Sequence, residues 1–259
     1  MTIETQPLAG KGIVVTRPAH QSAHLVGLIA AAGGTPILFP TIEIAAIEDQ
    51  GPLSALIARL DEFDIAIFVS PNAANVAMTL IRKQRLLPAH LKLATIGSGG
   101  VRELEKHGIS EVIAPRRFDS EALLDMPEIR NVAGRRIVIF RGRGGRELLG
   151  DTLSARGARV EYAECYQRRV PKVRADVLLQ AWERQEIHSI IATSSEGVRN
   201  LFVLVDDSGL TPLKQTSFFV PHPRIAQTAR ALGVAEVVQT GQGDEELVRG
   251  LVSWHALHR

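Results

Sequence analysis

Laid over itself at an offset of 124 to 125 residues, the sequence matches across a span of more than a hundred positions. With 124 added, IVVTR (Ile13 to Arg17) falls on IVIFR (Ile137 to Arg141), Gly33 on Gly157 and Ser70 on Ser194. With 125 added, Gly108 falls on Gly233, EVI (Glu111 to Ile113) on EVV (Glu236 to Val238), and DSE (Asp119 to Glu121) on DEE (Asp244 to Glu246). The period is too long for a solenoid, whose units run to ~20–45 residues. It means two copies of one domain-sized unit, and 259 residues give each copy enough chain to bury its own core.

Each copy alternates short β-branched runs with stretches of helical apolar spacing. The runs are GIVVT, IAIFVS, LATIG and EVIAP in the first copy and RIVIF, SIIATS, SFFVP and EVVQT in the second. Between them come segments such as Leu25, Leu28, Ile29 and Ala32, ending at Gly33. This predicts an α/β chain of two similar domains, each a parallel β-sheet flanked by helices, with ligands at the carboxyl ends of the strands. Two stretches at equivalent places depart from the scheme: PTIEIAAIED (Pro40 to Asp49) and VEYAECYQRRV (Val160 to Val170). Both read as extended chain running between domains. Strict alternation along the second sets Tyr162, Glu164 and Tyr166 on one face.

Composition narrows the function classes. The chain is 45% hydrophobic and 22% charged, with no apolar run near the ~20 residues of a membrane helix, so a soluble globular protein with no membrane partner is expected. The start, MTIETQPLAGKG, lacks the basic and apolar regions of an export signal, which makes the cytoplasm the expected location. A net charge of +2 argues against nucleic acid as a partner. Cys165 is the one cysteine and no Cys/His cluster has ligand spacing, so neither a disulfide nor a metal centre is expected. Thirty basic residues include six lysines, leaving 24 arginines. Arginine's planar fork suits carboxylate or phosphate, although a GC-rich genome produces the same bias.

The strand-to-helix corners hold the candidate binding residues. Arg17 and its partner Arg141 can each pair with an anion attracted by free helix N–H groups, or brace the loop through a salt bridge. VSPNA and TSSEG offer Ser70, Asn72, Ser194 and Ser195 at a second corner, where a serine also serves as an N-cap. Neither Ser70 nor Ser194 sits in a G-x-S-x-G elbow, and no His and Asp partners complete a hydrolase triad. At the third corner Gly97 and Ser98 of IGSGG can present backbone N–H groups to an anion, while His222 of VPHPR is either an acid–base group or a structural turn residue.

The run RGRGGR (Arg141 to Arg146) has the look of a phosphate cradle. A dinucleotide fingerprint begun at Gly142 needs a small residue at position 147 and meets Glu147. A P-loop needs Gly-Lys-Ser/Thr, and the first copy has RPAHQS here, without glycine. What remains is an arginine-flanked turn that opens a helix.

Taken in order, VVTRP, AAGG, FPTIEI, FVSPNA, IGSGGVRELEKHGI, DSEALL, RGRGGRELLGDTLSARGARVEYAECYQRRVP, TSSEGVRNL and PHPRIAQTARALG make a sequence that resembles the uroporphyrinogen-III synthase family from about Gly12 to Val252. The most specific pieces are RGRGGRELL and the Y-x-R-x-x-P pattern at Tyr166, Arg168 and Pro171. The resemblance implies two α/β domains joined by a two-stranded β-ladder, with the ligand cleft between them. One domain would be residues 1–38 plus 174–259, the other 50–160, with 39–49 and 161–173 as linkers. It also implies a cofactor-independent lyase of tetrapyrrole and heme biosynthesis, which closes linear hydroxymethylbilane to uroporphyrinogen III with loss of water and inversion of ring D. Departure of the hydroxyl leaves an azafulvene cation, attack at ring D gives a spiro intermediate, and reopening and reclosure give the product. Uncatalysed closure gives the symmetrical isomer.

The implied catalytic residue is Tyr166, as hydrogen-bond donor or general acid to the leaving hydroxyl; the alternative is a tyrosine that packs between domains. A phenol of ordinary pKa ~10 keeps its proton at neutral pH. The eight carboxylates of the substrate would engage Arg17, Ser70, Asn72, Gly97, Ser98, Arg141, Gly142, Arg146, Ser194, Ser195 and His222. The sequence departs from the family at Gly100 and Ile225, where many members carry threonine, and at VPHPR, which replaces a second glycine turn. The implied partners are the substrate and, in transient hand-over, the preceding pathway enzyme, with the chain a monomer. Two rival readings share the fold: a two-lobed receptor for an anionic ligand, and a regulatory protein with a degenerate synthase fold.

Overall fold

The computed structural model describes residues 6–115, 120–145 and 147–258. Among them the strands are β1 (Gly12–Val15), β2 (Thr35–Leu38), β3 (Glu43–Ala45), β4 (Ile65–Phe68), β5 (Lys92–Thr95), β6 (Arg136–Gly142), β7 (Arg159–Arg169), β8 (Ser189–Ile191), β9 (Ser217–Val220) and β10 (Val237–Gln239). They form two five-stranded sheets, ordered β10-β9-β8-β1-β2 and β3-β7-β6-β4-β5. The first is parallel throughout and the second is parallel from β7 to β5. The chain divides into two compact units, Met1–Glu43 with Arg169–Arg259, and Ile44–Arg168. No helix among the described residues is long and apolar enough to cross a membrane.

Each sheet draws on both copies of the repeat. β1 and β2 of the first copy join β8, β9 and β10 of the second, while β4 and β5 of the first join β6 and β7 of the second. Equivalent strands keep equivalent places: Val15 pairs with Leu38 and Ile139 with Tyr162, the same pair moved by 124 residues. The helices before β2 and β7 end alike, at Gly33 (φ 86°) and Gly157 (φ 85°), a left-handed conformation that glycine adopts without steric penalty.

Helices on both faces of a parallel sheet call for strands that are apolar on both sides, which is why GIVV and IAIF are buried at every position. Period-two alternation then splits each strand between two cores. In the unit Ile44–Arg168, Phe68, Val138 and Phe140 pack with Ala73, Ala74 and Ala77 of the helix Pro71–Gln84 on one face. Ile65, Ile67, Ile137 and Ile139 pack with Leu149 and Leu153 on the other. The rings of Phe68 and Phe140 stack at 5.0 Å, a contact that contributes about 0.5–1.5 kcal/mol beyond its buried area.

Two expectations from sequence are corrected. EVIAP is no strand: Ile113 makes a single bridge to Ala94, its carbonyl accepting from Thr95 N–H and its own N–H donating to Leu93 O, where the second copy forms β10. Pro115 follows two residues on and has no N–H to extend a ladder. Nor do Tyr162, Glu164 and Tyr166 share a face. β6 and β7 run in register to Arg141↔Glu164, but Gly142 pairs with Tyr166, leaving Cys165 as the extra residue of a bulge. Tyr162 therefore packs with Ile139 and Leu149, while Tyr166 packs in the opposite cluster with Phe140 and Cys165.

Candidate functional site

In the unit Ile44–Arg168, the segments that follow β4 and β5, the end of β6 and the bulged part of β7 bound a cavity of about 380 Å³. Val69, Ile96, Ile139, Leu148 and Leu149 make its apolar wall; Ser70, Ser120, Arg141, Arg143, Tyr166 and Arg168 supply its polar groups. This is where a parallel sheet leaves a crevice, because the helices that follow neighbouring strands diverge there.

Tyr166 is 2% exposed, and its Oη lies 3.1 Å from Ser70 Oγ. Ser70 is the N-cap of the helix Pro71–Gln84, its Oγ accepting from Ala73 N at 3.1 Å, with Pro71 in the first turn where a missing N–H costs nothing. Gly142 makes room for the phenol: a Cβ there would stand 2.7 Å from Cζ and 2.8 Å from Cε2 of Tyr166. The glycine suggestive of a nucleotide cradle thus serves ring clearance.

Arg141 is 8% exposed although charged. Its guanidinium lies 3.8 Å over the Tyr162 ring, Nη1 donates to Gly145 O at 3.2 Å, and Glu164 Oε1 is 3.7 Å from Nη2. Its Nε is buried and has no hydrogen-bond partner among the described residues. Leaving such a donor unpaired costs about 1–3 kcal/mol. Burial pushes the Tyr162 phenol above its ordinary value, against the opposing pull of Arg141. Burial also pushes the Cys165 thiol up to about 12, and its Sγ donates to Arg141 O at 3.2 Å. It is a packed thiol and no nucleophile at neutral pH.

The other sequence candidates are placed as follows. Asn72 stands in the first turn of Pro71–Gln84, and Gly97 precedes the helix Ser98–Lys106 with no side-chain cap. The glycines after them serve close packing: a Cβ on Gly99 would come within 2.8 Å of Pro71 Cγ, and one on Gly100 within 1.9 Å of Thr95 Oγ1. Thr95 fills the space that a threonine at position 100 would need. Arg146 lies outside the described residues. In the other unit, Arg17 Nη1 is 2.6 Å from Asp244 Oδ1 and its Nε donates to Thr193 Oγ1 at 3.2 Å. Ser194 caps Ser195–Gln215 through Gly197 N, Ser195 Oγ donates to Arg224 O at 3.4 Å, and His222 Nδ1 accepts from Arg224 N at 3.2 Å as the cap of Pro223–Ala231. Ile225 is buried.

Ser70, Arg141, Gly142 and Tyr166 are thus brought to one cavity. Arg143, Arg168 and Ser120 were not singled out from the sequence as site residues. Arg168 had a signal, since it stands two residues beyond Tyr166 on a strand and therefore on its side of the ribbon. Leu148 and Leu149 had none, because apolar residues in a helical pattern read as core. Among the described residues, no three His, Cys, Asp or Glu side chains gather as a metal site. A phenol and arginine side chains beside apolar walls can hold an anionic, mainly apolar ligand and hand a proton to one of its oxygens.

The family model described as uroporphyrinogen-III synthase HemD matches residues 23–249 of this chain. The uroporphyrinogen-III synthase of Escherichia coli (strain K12) is 32% identical over 243 residues, covering 92% of this chain and 99% of that one. The enzyme of the same name from Synechococcus elongatus is 32% identical over 204 residues, covering 77% and 76%. Among solved structures, a mutant uroporphyrinogen III synthase from the extremely thermophilic bacterium Thermus thermophilus is similar with a TM-score of 0.61 at 16% identity, covering 96% of this chain and 100% of that one. The uroporphyrinogen-III synthetase of Helicobacter pylori is similar with a TM-score of 0.60 at 11% identity, covering 94% and 99%. At such identities the two structures bear on the fold, and both agree with the two-unit α/β architecture.

Proposed function

This chain belongs to the uroporphyrinogen-III synthase family and closes hydroxymethylbilane to uroporphyrinogen III with loss of water and inversion of ring D, and we propose that Tyr166 is the acid of that reaction and Arg141 a carboxylate anchor. The observation that carries this reading is the meeting of Tyr166 and Arg141 on one cavity. Tyr166 Oη gives its proton to the leaving hydroxyl as the C–O bond breaks, so water departs and the azafulvene cation remains. General acid assistance of this kind contributes roughly 10²–10⁴-fold to a rate.

Choice of isomer is a matter of orientation, because the unassisted chain closes at the wrong carbon. Arg141 would hold one carboxylate, with the cavity-lining Arg143 and Arg168 adding positive charge. Asn72, Gly97 and Ser98, at two helix N-termini, offer further donors. The walls of Val69, Ile96, Leu148 and Leu149 limit how the pyrrole rings can turn, which lets binding energy select the conformer that closes at ring D. In this reading the enzyme acts in the cytoplasm as a monomer. The tendency of its substrate to close unaided favours direct hand-over from the enzyme that makes it.

The test is to supply purified protein with fresh hydroxymethylbilane, oxidise the products and separate the porphyrin isomers. Type III is expected, and type I alone would overturn the activity. Tyr166→Phe should lower kcat by at least about tenfold with little change in Tm. Wild-type turnover in that variant would assign Tyr166 to packing.

A further inference from the structure

Ser70 does more in this structure than cap a helix. Its hydroxyl has one proton and two lone pairs. One lone pair takes the Ala73 N–H, at 3.1 Å, and the buried Tyr166 Oη lies 3.1 Å away on another side. The phenol has little freedom to leave this contact, since the β7 bulge sets its backbone and the bare Cα of Gly142 its ring. If Tyr166 donated to Ser70, its proton would be turned away from any ligand in the cavity. If Ser70 donates, the Tyr166 proton is free to face the ligand.

We infer that Ser70 is a positioning residue for the reaction: its hydroxyl donates to Tyr166 Oη, aims the phenolic proton into the cavity, and steadies the phenolate oxygen once that proton has gone. The inference rests on the reading of Tyr166 as the acid. The step balances. The C–O bond breaks with its electron pair going to oxygen, the Tyr166 proton completes a water molecule, and the phenolate regains a proton from the ring carbon that forms the closing bond. The Ala73 N–H, in the first turn of a 14-residue helix, polarises the serine and makes it a better donor.

The repeat supplies an internal control. Ser194 caps its helix in the same way, accepting from Gly197 N at 2.9 Å. The residue 124 positions before Tyr166 is Ile42, which has no hydroxyl to receive a bond. Capping is common to both copies, and the second duty belongs to Ser70 alone.

The experiment measures kcat, KM and isomer ratio for full-length Ser70→Ala, Ser70→Thr and Ser70→Asp, with Ser70→Ala also placed in a Tyr166→Phe background. Ser70→Ala should lower kcat about tenfold with KM held within about twofold, and Ser70→Thr, which keeps both hydroxyl and cap, should recover most of that loss. Ser70→Asp keeps the helix capped but has no proton to give, so it should be as slow as Ser70→Ala or slower. In the Tyr166→Phe background, Ser70→Ala should cost nothing more, since it acts through the missing hydroxyl. The inference is overturned if Ser70→Asp restores turnover, if the two losses multiply, or if Ser70→Ala turns over as wild type. Wild-type turnover of Tyr166→Phe by itself would instead remove the acid assignment on which the inference stands.

Discussion

Arg17 and Arg141 are the same residue of the repeat, 124 positions apart, and their surroundings have diverged. Arg17 is held 2.6 Å from Asp244 and bonded to Thr193, so its guanidinium is a strut. Arg141 lies on the Tyr162 ring with a buried Nε that has no partner among the described residues. Asp119, the repeat counterpart of Asp244, falls outside those residues. The cause that can be followed is the strand beside each arginine. In the first copy Leu38, Pro40 and Ile42 stand where the second has Tyr162, Glu164 and Tyr166. β2 ends at Leu38, with Phe39 N–H and Thr41 N–H still donating to Val15 O and Thr16 O, whereas β7 runs on for 11 residues and carries both of the chain's tyrosines. The longer strand, with its two tyrosines, thus goes with the arginine that lines the cavity, and the shorter one with the arginine paired to Asp244.

The contrast can be broken at its largest point by closing the space around Tyr166. Gly142→Ala puts a Cβ within 2.7 Å of that ring and should cost about a hundredfold in kcat by displacing the hydroxyl, with a lowered Tm. Pro18→Ala, the same position of the first copy, should stay within about twofold; equal losses at both positions would erase the distinction drawn here. Next comes the arginine pair. Arg141→Leu should raise KM about tenfold, while Arg17→Leu, which takes the guanidinium from Asp244 and leaves it His24 Nδ1 at 3.1 Å, should lower stability by about 1–3 kcal/mol in urea denaturation. An Arg17→Leu protein of wild-type stability but raised KM would reverse the two roles.

The smallest effect concerns a feature of the unit containing β8. His255 is buried, its Nε2 is 2.9 Å from Ser189 Oγ, and burial, with Lys11, His188 and His258 adding to it, depresses its value to about 4. A histidine that the fold keeps neutral takes up its proton more readily in the unfolded chain. Stability from this group is therefore present above the ordinary value of ~6.5 and is lost as pH falls from there to about 4, below which no further loss arises from it. Tm should drop by a few degrees over that window. His255→Gln should lack that part of the drop, and an unchanged acid slope in the variant would assign the loss to other groups.

Much of the architecture is legible in the sequence. The offset of 124 to 125 announced two copies, and the alternation of β-branched runs with helical spacing announced parallel sheets. The misses have physical causes. EVIAP has the composition of a strand, but a lone bridge at Ile113 is all that precedes Pro115. The period-two reading of Tyr162, Glu164 and Tyr166 failed at Cys165 because a bulge inserts one residue without any mark in composition. Of the site, the corners could be found from strand ends. That Gly142 serves a tyrosine ring rather than a phosphate could not, since its neighbour across the sheet is 24 residues away in the chain.

The sequence by itself determined the number of units, their parallel α/β class and the placing of arginine, serine and tyrosine at strand ends, because periodicity and turn chemistry act over a few residues. Tertiary structure alone decided which way Tyr166 faces and which arginine is left with an unpaired buried donor. Those outcomes depend on contacts such as Ser70 to Tyr166, 96 residues apart, where packing and hydrogen-bond satisfaction are settled only when the whole unit has closed.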